Sequence, residues 1–144
     1  MENKIQNIKK DFFCFRNGII ADKLRSLYAP GTFIFGLNVP QFIALSQKYP
    51  KNLNLATELW KDIKCRESRL LSLYLFPVEE IEREFARRMI IEVQSNEEAE
   101  FLAFRILRRL PYAKELYDDM NIKKDYSSYT IHCIKMFKNN LNQI

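Results

Sequence analysis

"LWKDIKCRESRLLSLYLF", residues 59–76, is the stretch whose reading decides the fold. From residue 70 onward, Leu70, Leu71, Leu73, Tyr74, Leu75 and Phe76 cover most of a helix circumference and leave a narrow polar strip of Arg66, Ser68, Arg69 and Ser72. A surface helix carries one apolar stripe. One that is apolar nearly all round is contacted on several sides, as between neighbours in a stack. The strip is therefore expected to face something other than core, and its two arginines suggest what that is.

Working outward, the three glycines all fall within Gly18 to Gly36, and Pro30, Pro40, Pro50, Pro77 and Pro111 lie between periodic segments. Both residue types act here as helix punctuation. Apolar residues at helical spacing predict helices over 4–16, 19–27, 40–48, 53–63, 66–75, 78–92, 97–110, 112–120 and 127–141. Pro40 suits a first helical turn, Asn52 is placed to cap the helix after it, and Ser95 or Asn96 is placed to cap the helix that opens with Glu97 and Glu98. No segment alternates with period two long enough to be a strand, so the chain is expected to be all-α. From Leu53 onward the helices come in close pairs, 53–63 with 66–75, 78–92 with 97–110 and 112–120 with 127–141. That recurrence, at roughly 25 to 35 residues, predicts an α-α superhelix of HEAT-like repeats, a solenoid of antiparallel helix pairs forming a single domain over 1–144. In 97–110, Ala99, Leu102, Ala103, Ile106, Leu107 and Leu110 form the core stripe. Phe101 and Phe104 lie off it and are expected to pack between neighbours, the alternative being that they stack on bases.

With 144 residues, 47% of them apolar and 28% charged, the composition is that of a globular domain with a real core. No apolar run is long enough to cross a bilayer and no leader is evident, so a cytoplasmic protein with no membrane partner is expected. Cys14, Cys65 and Cys133 are odd in number and far apart, fitting neither a disulfide framework nor a zinc site, and are expected to be reduced and structural. His132 is the only histidine and has no ligand cluster or nucleophile around it. Neither metal nor cofactor is expected. The net charge of +5 permits attraction to a polyanion without demanding one, the ends of the chain being basic and the middle acidic.

The segments "FIFGLNVPQFIAL" and "LATELWKDIKCRESRLLSLYLF" together resemble the AlkD family of DNA alkylation repair glycosylases, in the order aromatic, Gly, apolar, Pro, then Leu-Trp and an Arg-Glu helix start. Gly36, Pro40, Leu59, Trp60, Arg66 and Glu67 carry the likeness, which spans about residues 20–110 of what would be a short, divergent member. The resemblance implies a curved stack of helix pairs whose basic concave face holds duplex DNA. It also implies removal of cationic alkylated purines with the help of aromatic surfaces and a carboxylate. A positively charged base is already a good leaving group, so a carboxylate has only to stabilise the developing oxocarbenium charge or position a water. The best match to the family's catalytic helix puts Asn96 where the family has Trp and Glu100 where it has Asp. The sole tryptophan, Trp60, belongs to the Leu-Trp motif instead.

Three readings follow. In the first, Arg66, Arg69, Arg105, Arg108 and Arg109 line the concave face and bind duplex DNA without catalysis, though Arg66 pairing with local acids is the plainer alternative. In the second, the solenoid is a scaffold for a protein partner. In the third, Glu100 serves a true DNA glycosylase, where its ordinary role would be a helix-dipole partner or salt bridge. Arg83, Arg87 and Arg88 among Glu79, Glu80, Glu82 and Glu84 are expected to form surface ion pairs. Phe12, Phe13 and Phe15 are expected to cap one end of the core, any exposed remnant being a dimer face.

Overall fold

The computed structural model describes residues 2–142. Among them the regular structure is helical: α1 (Glu2–Cys14), α2 (Gly18–Leu24), α3 (Val39–Lys48), α4 (Leu53–Lys61), α5 (Arg66–Leu75), α6 (Arg83–Glu92), α7 (Asn96–Arg105), α8 (Ala113–Met120) and α9 (Ser128–Leu141). The only β-type pairing among the described residues is an isolated parallel bridge between Phe33 and Cys65. The chain divides into two compact units, one ending at Phe76 and the other beginning at Pro77.

Helix starts follow the side chains expected to make them. Asn38 accepts from the Gln41 amide while the Gln41 side chain accepts from the Asn38 amide, a reciprocal capping box that leaves Pro40 harmless in the first turn. The Asn52 side chain accepts from Leu55 N at 2.8 Å. Of the two candidates before α7, Ser95 is the cap, accepting from Glu98 N at 3.0 Å, and buried Glu98 reaches back to the Gln94 amide. The expected helices over 78–92 and 97–110 are each broken. A 3-10 turn at 78–80 precedes α6, and α7 ends at Arg105 before a second 3-10 turn at 107–109. Ile106, at φ −117° and ψ −64°, makes that second break.

In the first unit α5 lies against α4 and α3, and all ten of its residues are buried. Phe42 of α3 stacks on Tyr74 of α5 with ring centroids 5.7 Å apart. Helix α1 contributes Ile8 and Phe12 to this core, with Phe12 5.7 Å from Phe35. Its polar side is tied down by Lys9 to Asp62 at 2.9 Å and by Asp11, which accepts from Lys48 and from the Tyr49 hydroxyl. Phe13 and Phe15, expected to cap the core beside Phe12, are exposed.

In the second unit the most extensive packing joins α7 to α9, which also touches α6 and α8. Consecutive-pair packing was expected. Ala99 and Ala103 on α7 and Thr130 and Cys133 on α9 are small and buried, which permits close approach of those two backbones. Thr130 Oγ1 donates to the Ile90 carbonyl at 2.9 Å and so satisfies the C-terminal end of α6. Phe101 is half-buried, whereas Phe104, expected to pack between neighbours, is exposed. Of the cysteines, Cys65 and Cys133 are buried and Cys14 is exposed, so the structural role expected of all three holds for two.

Candidate nucleic-acid interface

The polar strip of α5 points inward. Arg66 and Arg69 retain 4% and 2% of their exposure, Ser68 and Ser72 none, so the strip expected to face a groove is part of the core. The reason lies in the loop "FIFGL", residues 33–37, which is bridged to the start of α5 at Phe33. Phe33 N donates to the Lys64 carbonyl and the Phe33 carbonyl accepts from Arg66 N. Glu67 then turns its carboxylate onto the loop backbone, where Oε1 accepts from Phe35 N at 2.9 Å and Oε2 from Gly36 N at 3.1 Å and Leu37 N at 3.4 Å. Arg66 Nη1 closes the arrangement, 2.5 Å from Glu67 Oε2 and 3.1 Å from the Leu37 carbonyl. A buried carboxylate with several charge-assisted partners is satisfied where a lone one would be costly.

Gly36 is required by the same construction. Its φ is +91°, and a Cβ there would sit 2.3 Å from the Asn17 carbonyl oxygen, which is occupied by the Ala21 amide. Arg69 serves the neighbouring corner. Its Nη1 donates to the Trp60 carbonyl at 2.7 Å and its guanidinium lies 3.5 Å from the indole centre. Gly36, Arg66 and Glu67, three of the residues carrying the family likeness, thus belong to one arrangement, and Trp60 to the neighbouring one with Arg69. Arg66 and Arg69 present no guanidinium to a phosphate, and the plainer reading, local pairing of Arg66 with an acid, is the one the contacts follow.

The remaining predicted cations lie in the second unit. Arg105, the last residue of α7, and Arg108 are half-buried and Arg109 is exposed, the latter two in the 3-10 turn that follows the helix. Arg108 Nε donates to the Phe104 carbonyl at 2.6 Å and its guanidinium sits 4.1 Å from the Phe104 ring centre. Glu100 is exposed and lies 2.9 Å, Oε2 to Nε2, from His132 of α9. This partner is 32 residues away, and nothing in the sequence around either residue marks it. Trp60, the one tryptophan, is buried in the first unit. Among the local pairs, Arg87 meets Glu84 at 3.5 Å as expected, Arg83 reaches Asp119 of α8 instead, and Arg88 lies over Phe85. The described residues contain no cluster of three metal-ligating side chains. None of their helices is long and apolar enough to cross a membrane.

Sequence reasoning missed where the cationic surface lies. Residues 1–76 hold 12 Lys and Arg against 6 Asp and Glu, while residues 77–144 hold 11 against 12. In the first unit every lysine and arginine except Arg66 and Arg69 is exposed. Of its described acids only Asp22 and Glu58 are; Glu67 is buried, and Asp11 and Asp62 are half-buried against Lys48 and Lys9. The division of charge falls at Phe76, which reading the chain as basic ends around an acidic middle does not reveal. The chain is an all-helical protein with a strongly basic first unit. No protein-family model, curated protein or solved structure matches it.

Proposed function

We propose that this chain is a HEAT-like helical repeat protein, related in descent to the alkylation repair glycosylases, that binds duplex DNA without cleaving a glycosidic bond. The observation that carries the reading is the exposed cationic surface of the first unit, including Lys10, Lys23, Lys51 and Lys64, with few exposed acids among them. Phosphate neutralisation by lysine and arginine supplies binding that is independent of sequence. Arg108 and Arg109 add a second basic site in the other unit, while Arg66 and Arg69 act through the fold alone. Catalysis of the family type is left out because Glu100 is engaged by His132 and the only indole is buried around Arg69.

The test is anisotropy of a labelled duplex at several salt concentrations. If about four phosphates are contacted, affinity falls roughly 100-fold between 50 and 200 mM salt. Replacing Lys10, Lys23, Lys51 and Lys64 together by Gln flattens that slope, and a flat slope in the unmodified protein refutes the reading. A protein-interaction scaffold is the second reading, favoured by the exposed side chains of Ile19, Phe33 and Ile63. A nuclease-resistant stoichiometric protein partner, with no DNA binding at low salt, selects it. Release of methylated purine from DNA, lost in Glu100→Gln, selects the glycosylase.

A further inference from the structure

The two units carry the same surface device. In the first, Arg16 Nη1 donates to the Phe13 carbonyl at 2.8 Å and lays its guanidinium 3.8 Å from the Phe13 ring centre. In the second, Arg108 does the same to Phe104. Each arginine follows the end of its helix, and holding a last-turn carbonyl accounts for the hydrogen bond. It does not account for the ring. Phe13 is 55% and Phe104 46% exposed, and neither is needed to seat its helix, since Ile8 and Phe12 bury α1 and Ala99, Leu102 and Ala103 bury α7. What results is an open aromatic ring with a cation held against one face.

We propose that the Phe13–Arg16 and Phe104–Arg108 pairs are stacking platforms for unpaired nucleic-acid bases, so that DNA is held more tightly where its pairing is interrupted. The proposal rests on the DNA-binding reading above and deepens it. Bases stack on aromatic rings and on guanidinium planes alike, because every base offers a π-face. The bases of an intact duplex are stacked on each other and offer none, so the platforms discriminate by pairing and not by sequence. Each guanidinium has donors beyond the one given to the carbonyl, suited to the phosphate of the stacked nucleotide. Of the acids closest in sequence, Asp11 is paired with Lys48 and Tyr49, which lessens its repulsion of that phosphate, and Glu100 is turned to His132.

The experiment compares the full chain binding to a perfect duplex, to the same duplex with a central three-nucleotide bulge, and to a single strand of equal length, at one salt concentration. The bulged duplex and single strand are expected to bind more tightly than the perfect duplex. Phe13→Leu with Phe104→Leu keeps apolar bulk at exposed positions and lowers the ratio of bulge to duplex affinity, by about fivefold or more for each stack lost. Phe13→Tyr with Phe104→Tyr retains the ratio. Duplex binding that is salt-dependent with no preference for unpaired bases, or a ratio unchanged in the Leu variant, overturns the platforms and leaves the DNA reading standing. Absence of binding to all three overturns both.

Discussion

Replacing Glu67 by alanine removes the acceptor for three backbone amides, those of Phe35, Gly36 and Leu37, and leaves the Arg66 guanidinium buried with the Leu37 carbonyl still in reach. Removing one member of a buried ion pair costs about 3–5 kcal/mol, chiefly because the other charge is left uncompensated in a low dielectric. Against a domain stability of about 5–15 kcal/mol, that is about a fifth of the total or more. Arg66→Ala should cost less, about 2 kcal/mol, because Glu67 keeps its three amide partners and loses only one charge-assisted bond. Glu67→Gln should fall between the two, since an amide offers one acceptor oxygen and turns its NH₂ toward donors. Urea unfolding followed by the emission of Trp60 reports on this unit, because the indole is buried in it. The order Glu67→Ala, Glu67→Gln, Arg66→Ala, from most to least destabilising, is the prediction. A Glu67→Ala variant that loses less than about 1 kcal/mol, or an Arg66→Ala variant that loses more than Glu67→Ala, refutes the reasoning that the carboxylate holds the loop.

Gly36→Ala should destabilise by about 1–3 kcal/mol in the same urea assay, from a left-handed backbone and a Cβ 2.3 Å from the Asn17 carbonyl oxygen. A thiol reagent should label one cysteine rapidly in the native protein and the other two only in denaturant, since Cys14 is exposed while burial excludes reagent from Cys65 and Cys133. Mass mapping that finds Cys133 modified first contradicts the packing of α9. Stability should decline above about pH 9. Burial raises the Tyr49 hydroxyl, with Asp11 adding to the shift through a hydrogen bond and its charge, and burial also raises the Cys65 and Cys133 thiols. The unfolded chain therefore loses these protons first, so their contribution is complete below the unfolded pKa values and is lost as pH rises toward the folded ones. Tyr49→Phe should flatten the alkaline limb above pH 10, and an unchanged limb argues against the Asp11 contact.

The sequence by itself determined where most of the helices are and how they begin. Asn52 and Ser95 cap because their short side chains reach an amide within the next turn, an interaction complete within four residues of chain. The nearly continuous apolar surface of α5 likewise required that helix to be enclosed, whatever enclosed it. Interruptions were less legible. Ile106 is an ordinary apolar residue whose backbone departs from the helix, and the apolar period continues past it into the 3-10 turn, so the break does not show in the pattern; Phe104, off that stripe and expected to pack between stacked neighbours, is exposed.

Only the tertiary structure decided which way the polar groups of α5 point. An arginine at the head of a helix reads the same whether its partner is solvent, a phosphate or another stretch of backbone. The partners of Arg66 and Glu67 come from residues 35–37, about thirty positions earlier, in a loop with no periodicity to announce it. The pairing of Glu100 with His132 across 32 residues is hidden for the same reason. Apolar burial depends on a residue's own surface and shows in a one-dimensional pattern. The satisfaction of a buried charge depends on the spatial position of specific donors and acceptors, and that is set only when the segments meet.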